Sequence, residues 1–373
     1  MKKVLFICLL LAGTYAWAAK PLVYNGDTLP ENTDFQRIQC GTLITKKTMA
    51  EISGIACSRV TPGYLWMESD NISNQIIATN QRGDICYLKL RLSLSAGARW
   101  DWEDLCGGVY DGKNYIFIAA IGDNNENGGE YRIHYIEEPD IPTTKIDSTR
   151  KVKGKSILFQ YPEGKLHNAE ALMYDNVEQM FYIITKKYYQ PCQVFSLPMR
   201  LDYGNEVQTL TYVCDLGVQS DLGEGSKADY GFHLVTGADI SPDGKYILVK
   251  NHNNTTVDRK EYGYSWTLLW TREGDESISE TIKRQPEVIQ CYEEEWQGEA
   301  ICWRDSTTFY TTSDDNGNPP IYKYMNQYAP QEQSVESVAS DTNKSARTLV
   351  FIGNTLFIHG KEGLYTLDGQ RVK

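Results

Sequence analysis

The chain has 373 residues, with 37 Lys and Arg against 49 Asp and Glu, a net charge of −12. Such an acidic balance repels nucleic acid and anionic membrane surfaces and argues against both as partners. Hydrophobic residues make up 41% and aromatic residues 12%, with 25 Tyr, which excludes a disordered chain and suits a strand-rich core.

Residues 1–18 read as a secretory signal peptide. Lys2 and Lys3 form the basic start, residues 4–12 the apolar stretch, and Ala16-Trp17-Ala18 a small-x-small cleavage site. The apolar stretch is too short to span a bilayer, and no later run is apolar enough to do so, so no membrane insertion is expected. The expected location is secreted, periplasmic or cell-surface. Cleavage would change the balance to 35 − 49 = −14 and leave eight cysteines: Cys40, Cys57, Cys86, Cys106, Cys192, Cys214, Cys291 and Cys302. An even number in an exported chain permits disulfides, and without a Cys-x-x-Cys spacing a structural zinc site is not expected.

Residues 19–36 read as an extended leader and residues 37–45 as a strand. Five units follow. Each opens with an acidic or small residue, a tiny residue and an aliphatic one: Glu51-Ile-Ser-Gly-Ile-Ala56, Trp102-Glu-Asp-Leu105, Ala169-Glu-Ala-Leu172, Gly237-Ala-Asp-Ile240 and Gly298-Glu-Ala-Ile301. Aligned at Ser53, Glu103, Glu170, Ala238 and Glu299, they are spaced by 50, 67, 68 and 61 residues. Further β-branched and aromatic runs follow each opening, bounded by Gly, Asp, Asn and Pro. A loose repeat of short strands at this period predicts an all-β fold, a β-propeller. The fifth unit has only three strands, and the strand at 37–45 is placed to supply its fourth and close the ring. That gives five blades; a sixth requires a hairpin hidden in residues 140–165 or 217–235. The propeller is assigned to residues 37–330, a polar linker to 331–346 and a small C-terminal β unit to 347–373.

In an antiparallel hairpin the start of one strand and the end of the next share an edge. Glu51, Glu103, Glu170 and Glu299 begin first strands, and Asp70, Asp123, Asn251 and Asp314 end second strands. All eight are therefore expected on one face near the axis. Carboxylates crowded in a narrow mouth repel unless they are protonated, paired or bound to a metal. All-oxygen ligands favour a hard cation, calcium before magnesium. Asp123-Asn-Asn-Glu-Asn-Gly128 has the opening of a calcium loop without its closing Glu, and equally fits a plain Asx turn. His167 and His233 fall beside the repeat openings, where a histidine could move a proton to or from metal-bound water. Lys186, Lys187 and Lys250 could bind an anionic group or neutralise the glutamates. Cys106 and Cys302 follow the aliphatic at equivalent repeat positions and read as buried small apolar residues.

Ser53-Gly-Ile-Ala56, Asp101-Trp-Glu-Asp104 with Ile121-Gly-Asp-Asn124, Ala169-Glu-Ala-Leu172 and Thr236-Gly-Ala-Asp-Ile-Ser-Pro-Asp-Gly244 resemble units of secreted bacterial β-propellers grouped near the esterase-like phytase and strictosidine-synthase or lactonase families. The resemblance implies a calcium-dependent hydrolase of esters, lactones or phosphate esters, with metal at Glu103, Asp123, Glu170 and Glu299. The fourth unit departs from the pattern, with Ala238-Asp239 in place of a Glu-small pair, and the mouth lacks the Arg and Lys of a phytase. Tyr365-Thr-Leu-Asp-Gly-Gln-Arg-Val372 resembles the tails of type IX secretion sorting domains, which implies secretion machinery as a partner. The alternative is a non-enzymatic binding or scaffold propeller with structural calcium, its loop tyrosines Tyr188, Tyr189, Tyr262 and Tyr264 suited to glycan or protein contacts; a small-molecule or glycan ligand is the expected partner.

Overall fold

The computed structural model describes residues 22–24, 26–42, 51–69, 72, 74–83, 86–94, 101–128, 131–144, 146–187, 190–220, 234–257, 260–289, 295, 298–313, 319–329, 348–352, 355–360 and 363–366. The chain divides into two compact units, residues 1–327 and 328–373.

In the first unit, four-strand antiparallel meanders follow one another in sequence. Blade 1 is built from Ile52–Cys57, Tyr64–Ser69, Gln75–Asn80 and Cys86–Ser93, and blade 2 from Trp102–Tyr110, Lys113–Ala120, Tyr131–Glu137 and Lys155–Gln160. Blade 3 takes Ala169–Asp175, Met180–Thr185, Cys192–Pro198 and Thr211–Leu216. Blade 4 takes Leu234–Ile240, Tyr246–Val257, Lys260–Thr271 and Glu287–Ile289. Blade 5 has Gly298–Asp305, Thr308–Ser313 and Pro320–Asn326, and its fourth strand is Phe35–Thr42, antiparallel to the third. The expected ring closure by an N-terminal strand is therefore observed.

The first strand of each blade lies beside the first strands of the blades before and after it, and blade 5 returns to blade 1. The fold is a five-bladed β-propeller. Residues 140–165 hide no sixth blade: Ser148–Lys153 adds in parallel to the outer edge of blade 1, and Lys155–Gln160 is the fourth strand of blade 2. The N-terminal segment also reaches the sheets, since Glu31–Asn32 extends the edge of blade 4. These additions cover outer edges that would otherwise be open.

Each seam between blades has its own apolar cluster, five in all among the described residues. The seam of blades 2 and 3 is aromatic: Phe117 packs edge-on against Phe181 and tilted against Tyr174. The inner strands of blades 3 and 4 are buried throughout, acidic residues included.

The second unit contains a three-stranded antiparallel sheet, Thr348–Ile352, Thr355–Gly360 and Gly363–Thr366. Among the described residues no helix is long and apolar enough to cross a membrane.

Candidate functional site: the carboxylate mouth

Every inner strand carries a one-residue register shift near its start. Ile52 pairs with Ser69 and Gly54 with Glu68, which leaves Ser53 as the extra residue. The same shift leaves out Glu103 in blade 2, Glu170 in blade 3, Thr236 in blade 4 and Glu299 in blade 5. A bulge of this kind bends the strand and re-aims a side chain. Five bulges at equivalent places thus form a ring of Ser53, Glu103, Glu170, Thr236 and Glu299 around one mouth. The equivalent residue in blade 4 is Thr236, not Ala238 as the motif alignment gives. The alignment follows composition, whereas the register is fixed by pairing with Asn251 and Lys250.

Glu103, Glu170 and Glu299 are 8%, 6% and 7% exposed. Burial, followed by the charges of Glu170 and Asp101, pushes the Glu103 carboxyl well above the usual carboxylate range, against the opposing pull of Lys186. Gly122 explains how so many acids come together. A Cβ there would overlap Glu103 Oε1 and press on the Asp101 carboxylate, so Gly122 lets blade 2 fold back on its own opening. The Asp-Trp-Glu-Asp and Gly-Asp-Asn motifs meet at this contact.

Glu170 is held from two sides: Lys186 Nζ donates to Oε2 at 2.5 Å and Asn168 Nδ2 to Oε1 at 3.2 Å. Asn168 Oδ1 in turn accepts from the backbone N–H of Asp123 at 2.6 Å. Asp123 is buried, and its carboxylate accepts from Asn127 N, Gly128 N and the Tyr131 hydroxyl. Its oxygens organise the 123–128 turn, and the residue reaches Glu170 through Asn168. Glu299, in blade 5, has His252 Nδ1 3.5 Å away.

His167 donates its backbone N–H to the Tyr131 hydroxyl and lodges its ring edge-on against Tyr161 and tilted against Phe195. Burial, with the charge of Lys187, lowers its pKa to about 4, so the imidazole is neutral at pH 7. Among the described residues its buried Nδ1 has no hydrogen-bond partner, and neither do the side-chain polar atoms of the fully buried Asn251. His233, Asp70, Asp314, Tyr188 and Tyr189 lie outside the described residues.

Lys186 and Lys187 follow the end of their second strand, whereas Lys250 lies inside Tyr246–Val257, and all three pair with acids. Lys186 meets Glu170, Lys187 meets Glu126, and Lys250 meets Glu295 with neither partner exposed. Glu295 also accepts from Thr311 Oγ1 at 3.0 Å and the Tyr324 hydroxyl at 2.9 Å. Gly298 makes room for this arrangement, because a Cβ there would strike Ser265 Oγ and Lys250 Cε.

Behind the ring, two aspartates tie inner strands together. Asp104 accepts from its neighbour Leu105 N at 2.8 Å, from Leu172 N of blade 3 at 2.9 Å and from Ala238 N of blade 4 at 3.4 Å. Asp239 accepts from Ile240 N at 2.9 Å and from Trp303 N of blade 5 at 2.7 Å. Burial raises both carboxyls, that of Asp239 to about 7. These are scaffold acids that satisfy backbone N–H groups across the axis. Among the described residues, no three His, Cys, Asp or Glu side chains are arranged to hold a metal ion.

His167 and Asp239 give opposite pH dependences. The His167 pKa lies below its unfolded value of 6.5, so its stability contribution is present above pH 6.5 and is lost as pH falls through 4. Asp239 lies above its unfolded value of 3.8, so its contribution is present at low pH and is lost as pH rises through 7. Replacing His167 with Phe, which suits the Tyr161 and Phe195 surroundings, removes only the first effect. Relative to wild type, this variant is expected to gain about 3 kcal/mol between pH 7 and pH 4. Urea unfolding at pH 7, 5.5 and 4 checks it; parallel curves for the two proteins would contradict it.

No family model matches the chain, and no curated protein matches it. Among solved structures the chain is similar to an α-L-arabinofuranosidase from Lactobacillus brevis, at 9% identity and a TM-score of 0.41, over 74% of this chain and 91% of that one. The five-blade assignment rests on the strand pairing described above.

Proposed function

We propose that this chain is a secreted calcium-dependent hydrolase of esters, lactones or phosphate esters, with its reaction centre in the carboxylate mouth. The observation that carries this reading is Glu103. It is a buried acid beside Glu170 and Asp101, opposed by Lys186, and its carboxyl is raised well above the usual range. Such a site is tolerable when it holds a proton or a cation, and the neighbouring carboxylates of Glu103 and Glu170 are oxygen donors of the kind a hard cation takes. Calcium, when bound, would polarise a carbonyl or phosphoryl oxygen and acidify water.

The other roles belong to the chain. Glu103, beside Glu170, would hold the cation through its carboxylate oxygens. Lys186 and Asn168 fix the Glu170 carboxylate, and Asp123 acts as a positioning residue through Asn168. His167 carries a neutral imidazole whose buried Nδ1 has no hydrogen-bond partner among the described residues, and it is the first candidate for proton transfer. His233 is the second candidate for proton transfer. The orphaned amide of Asn251 is a further polar group that a ligand or water would satisfy.

Screening the full chain against ester, lactone and phosphate-ester substrates, with calcium and with a chelator, tests the reading. Calcium-dependent turnover that falls at least about 100-fold in Glu103→Gln is expected for loss of a carboxylate that would hold the calcium. Turnover unchanged by either the chelator or the substitution would overturn it.

The second reading is a non-enzymatic binding propeller with structural calcium. It is favoured by Asp104, which bridges three blades behind the mouth, and by Asp123, whose oxygens serve its own turn. It predicts calcium binding without turnover. The export reading of residues 1–18 and the sorting role of residues 347–373 belong to the same proposal. Deletion of residues 347–373 is expected to leave the protein in the periplasm of a host with type IX secretion.

A further inference from the structure

At the far end of the inner strands, away from the carboxylate mouth, a cavity of about 230 Å³ opens between blades 1 and 5. Its lining includes Cys57, Arg59, Asp239, Trp303 and Arg304. Cys57 ends the inner strand of blade 1, and Cys302 lies on the inner strand of blade 5. Their Sγ atoms are 3.6 Å apart, and both are thiols. Cys57 is half-buried and faces the cavity, whereas Cys302 is buried behind it. Each thiol is followed two residues later by an arginine of the cavity wall: Arg59, which donates to Gly107 O, and Arg304, which is paired with Asp305.

The location matters because the two cysteines span the seam where the last blade meets the first. That seam's cluster has nine buried residues among those described, against twenty in the seam of blades 2 and 3. A covalent link here would tie together strands 245 positions apart in sequence.

We propose that Cys57 and Cys302 form a dithiol that a small carboxylate-bearing disulfide oxidises through this cavity, closing the propeller ring with a covalent bond. The thiolate of Cys57 attacks one sulfur of the oxidant and expels one small thiolate, which leaves a mixed disulfide on Cys57. The thiolate of Cys302 then attacks Cys57 Sγ and expels the second small thiolate. The protein pair loses two protons and two electrons, and the oxidant becomes two thiols. Cys57 reacts first because it is the accessible member, and the guanidinium groups of Arg59 and Arg304 suit the oxidant's carboxylates.

The test uses the reduced full chain, incubated with oxidised glutathione or with uncharged hydroxyethyl disulfide. It is followed by alkylation of free thiols, non-reducing digestion and mass spectrometry. The expected result is loss of two alkylatable thiols and a cross-linked peptide joining Cys57 to Cys302. The unfolding midpoint should rise by about 5 °C, as expected for closing a long loop. Glutathione should react faster than the uncharged oxidant, and Arg59→Ala should remove about fivefold of that advantage. Cys302→Ser should trap a glutathione adduct on Cys57, and Cys57→Ser should leave Cys302 unmodified. The proposal is overturned if both thiols stay alkylatable in the wild type, or if Cys57 is found joined to Cys40 or Cys86, which pack against the same cluster.

Discussion

Replacing Lys250 with Met is expected to lower the unfolding free energy by about 3–5 kcal/mol, because it leaves Glu295 as a buried charge without its ammonium. Neither side chain is exposed to solvent. Thr311 and Tyr324 would still donate to Glu295, and Arg37 NH1 stands 3.9 Å from it, but none replaces the direct pair. Methionine keeps most of the volume beside Gly298 and so limits any cavity contribution. The double variant Lys250→Met/Glu295→Gln removes both charges and should recover more than half of the loss, as expected when an uncompensated ion is the main cost. Urea unfolding of the three proteins decides the matter. A single variant within about 1 kcal/mol of wild type would show that the pair contributes little.

Asp104→Ala should have an effect of similar size, about 4 kcal/mol, for a different reason. It strips the acceptor from the backbone N–H groups of Leu105, Leu172 and Ala238, and each buried donor left unsatisfied costs about 1–3 kcal/mol. The lost bonds connect blades 2, 3 and 4, so hydrogen exchange at Leu172 and Ala238 should accelerate together. Asp104→Asn keeps the shape but turns an NH₂ toward one of the donors, and it should fall between the two. If Leu172 and Ala238 exchange at wild-type rates in the alanine variant, Asp104 does not tie the blades together.

The blades were legible because the strands are rich in aromatic and β-branched residues and end in turns. The ring-closing strand was legible from a counting argument, since blade 5 lacked a fourth member. Thr236 was missed because a bulge depends on the register of the partner strand, and Gly-Ala-Asp-Ile matches the repeat two residues later. Glu295 was missed because it precedes the repeat opening, and its significance comes from a lysine on another blade. Asp104 and Asp239 have no assigned role in the sequence reading. Only the hydrogen bonds show that they serve backbone N–H groups of neighbouring blades. The 123–128 sequence fits both a calcium loop and an Asx turn; Asp123 accepts from two N–H groups of the turn and from the Tyr131 hydroxyl. No spacing rule could have joined Cys57 to Cys302, whose proximity is a consequence of closing the ring.

The central claim is that the carboxylate mouth takes up a hard cation beside Glu103 and Glu170. Calorimetric titration of the full chain with calcium at pH 7, in two buffers of different ionisation enthalpy, tests it most directly. The expected result is binding that releases protons, tightens as the pH rises, and is abolished in Glu103→Gln/Glu170→Gln. Absence of binding at millimolar calcium, or binding that the double substitution leaves unchanged, would contradict the claim.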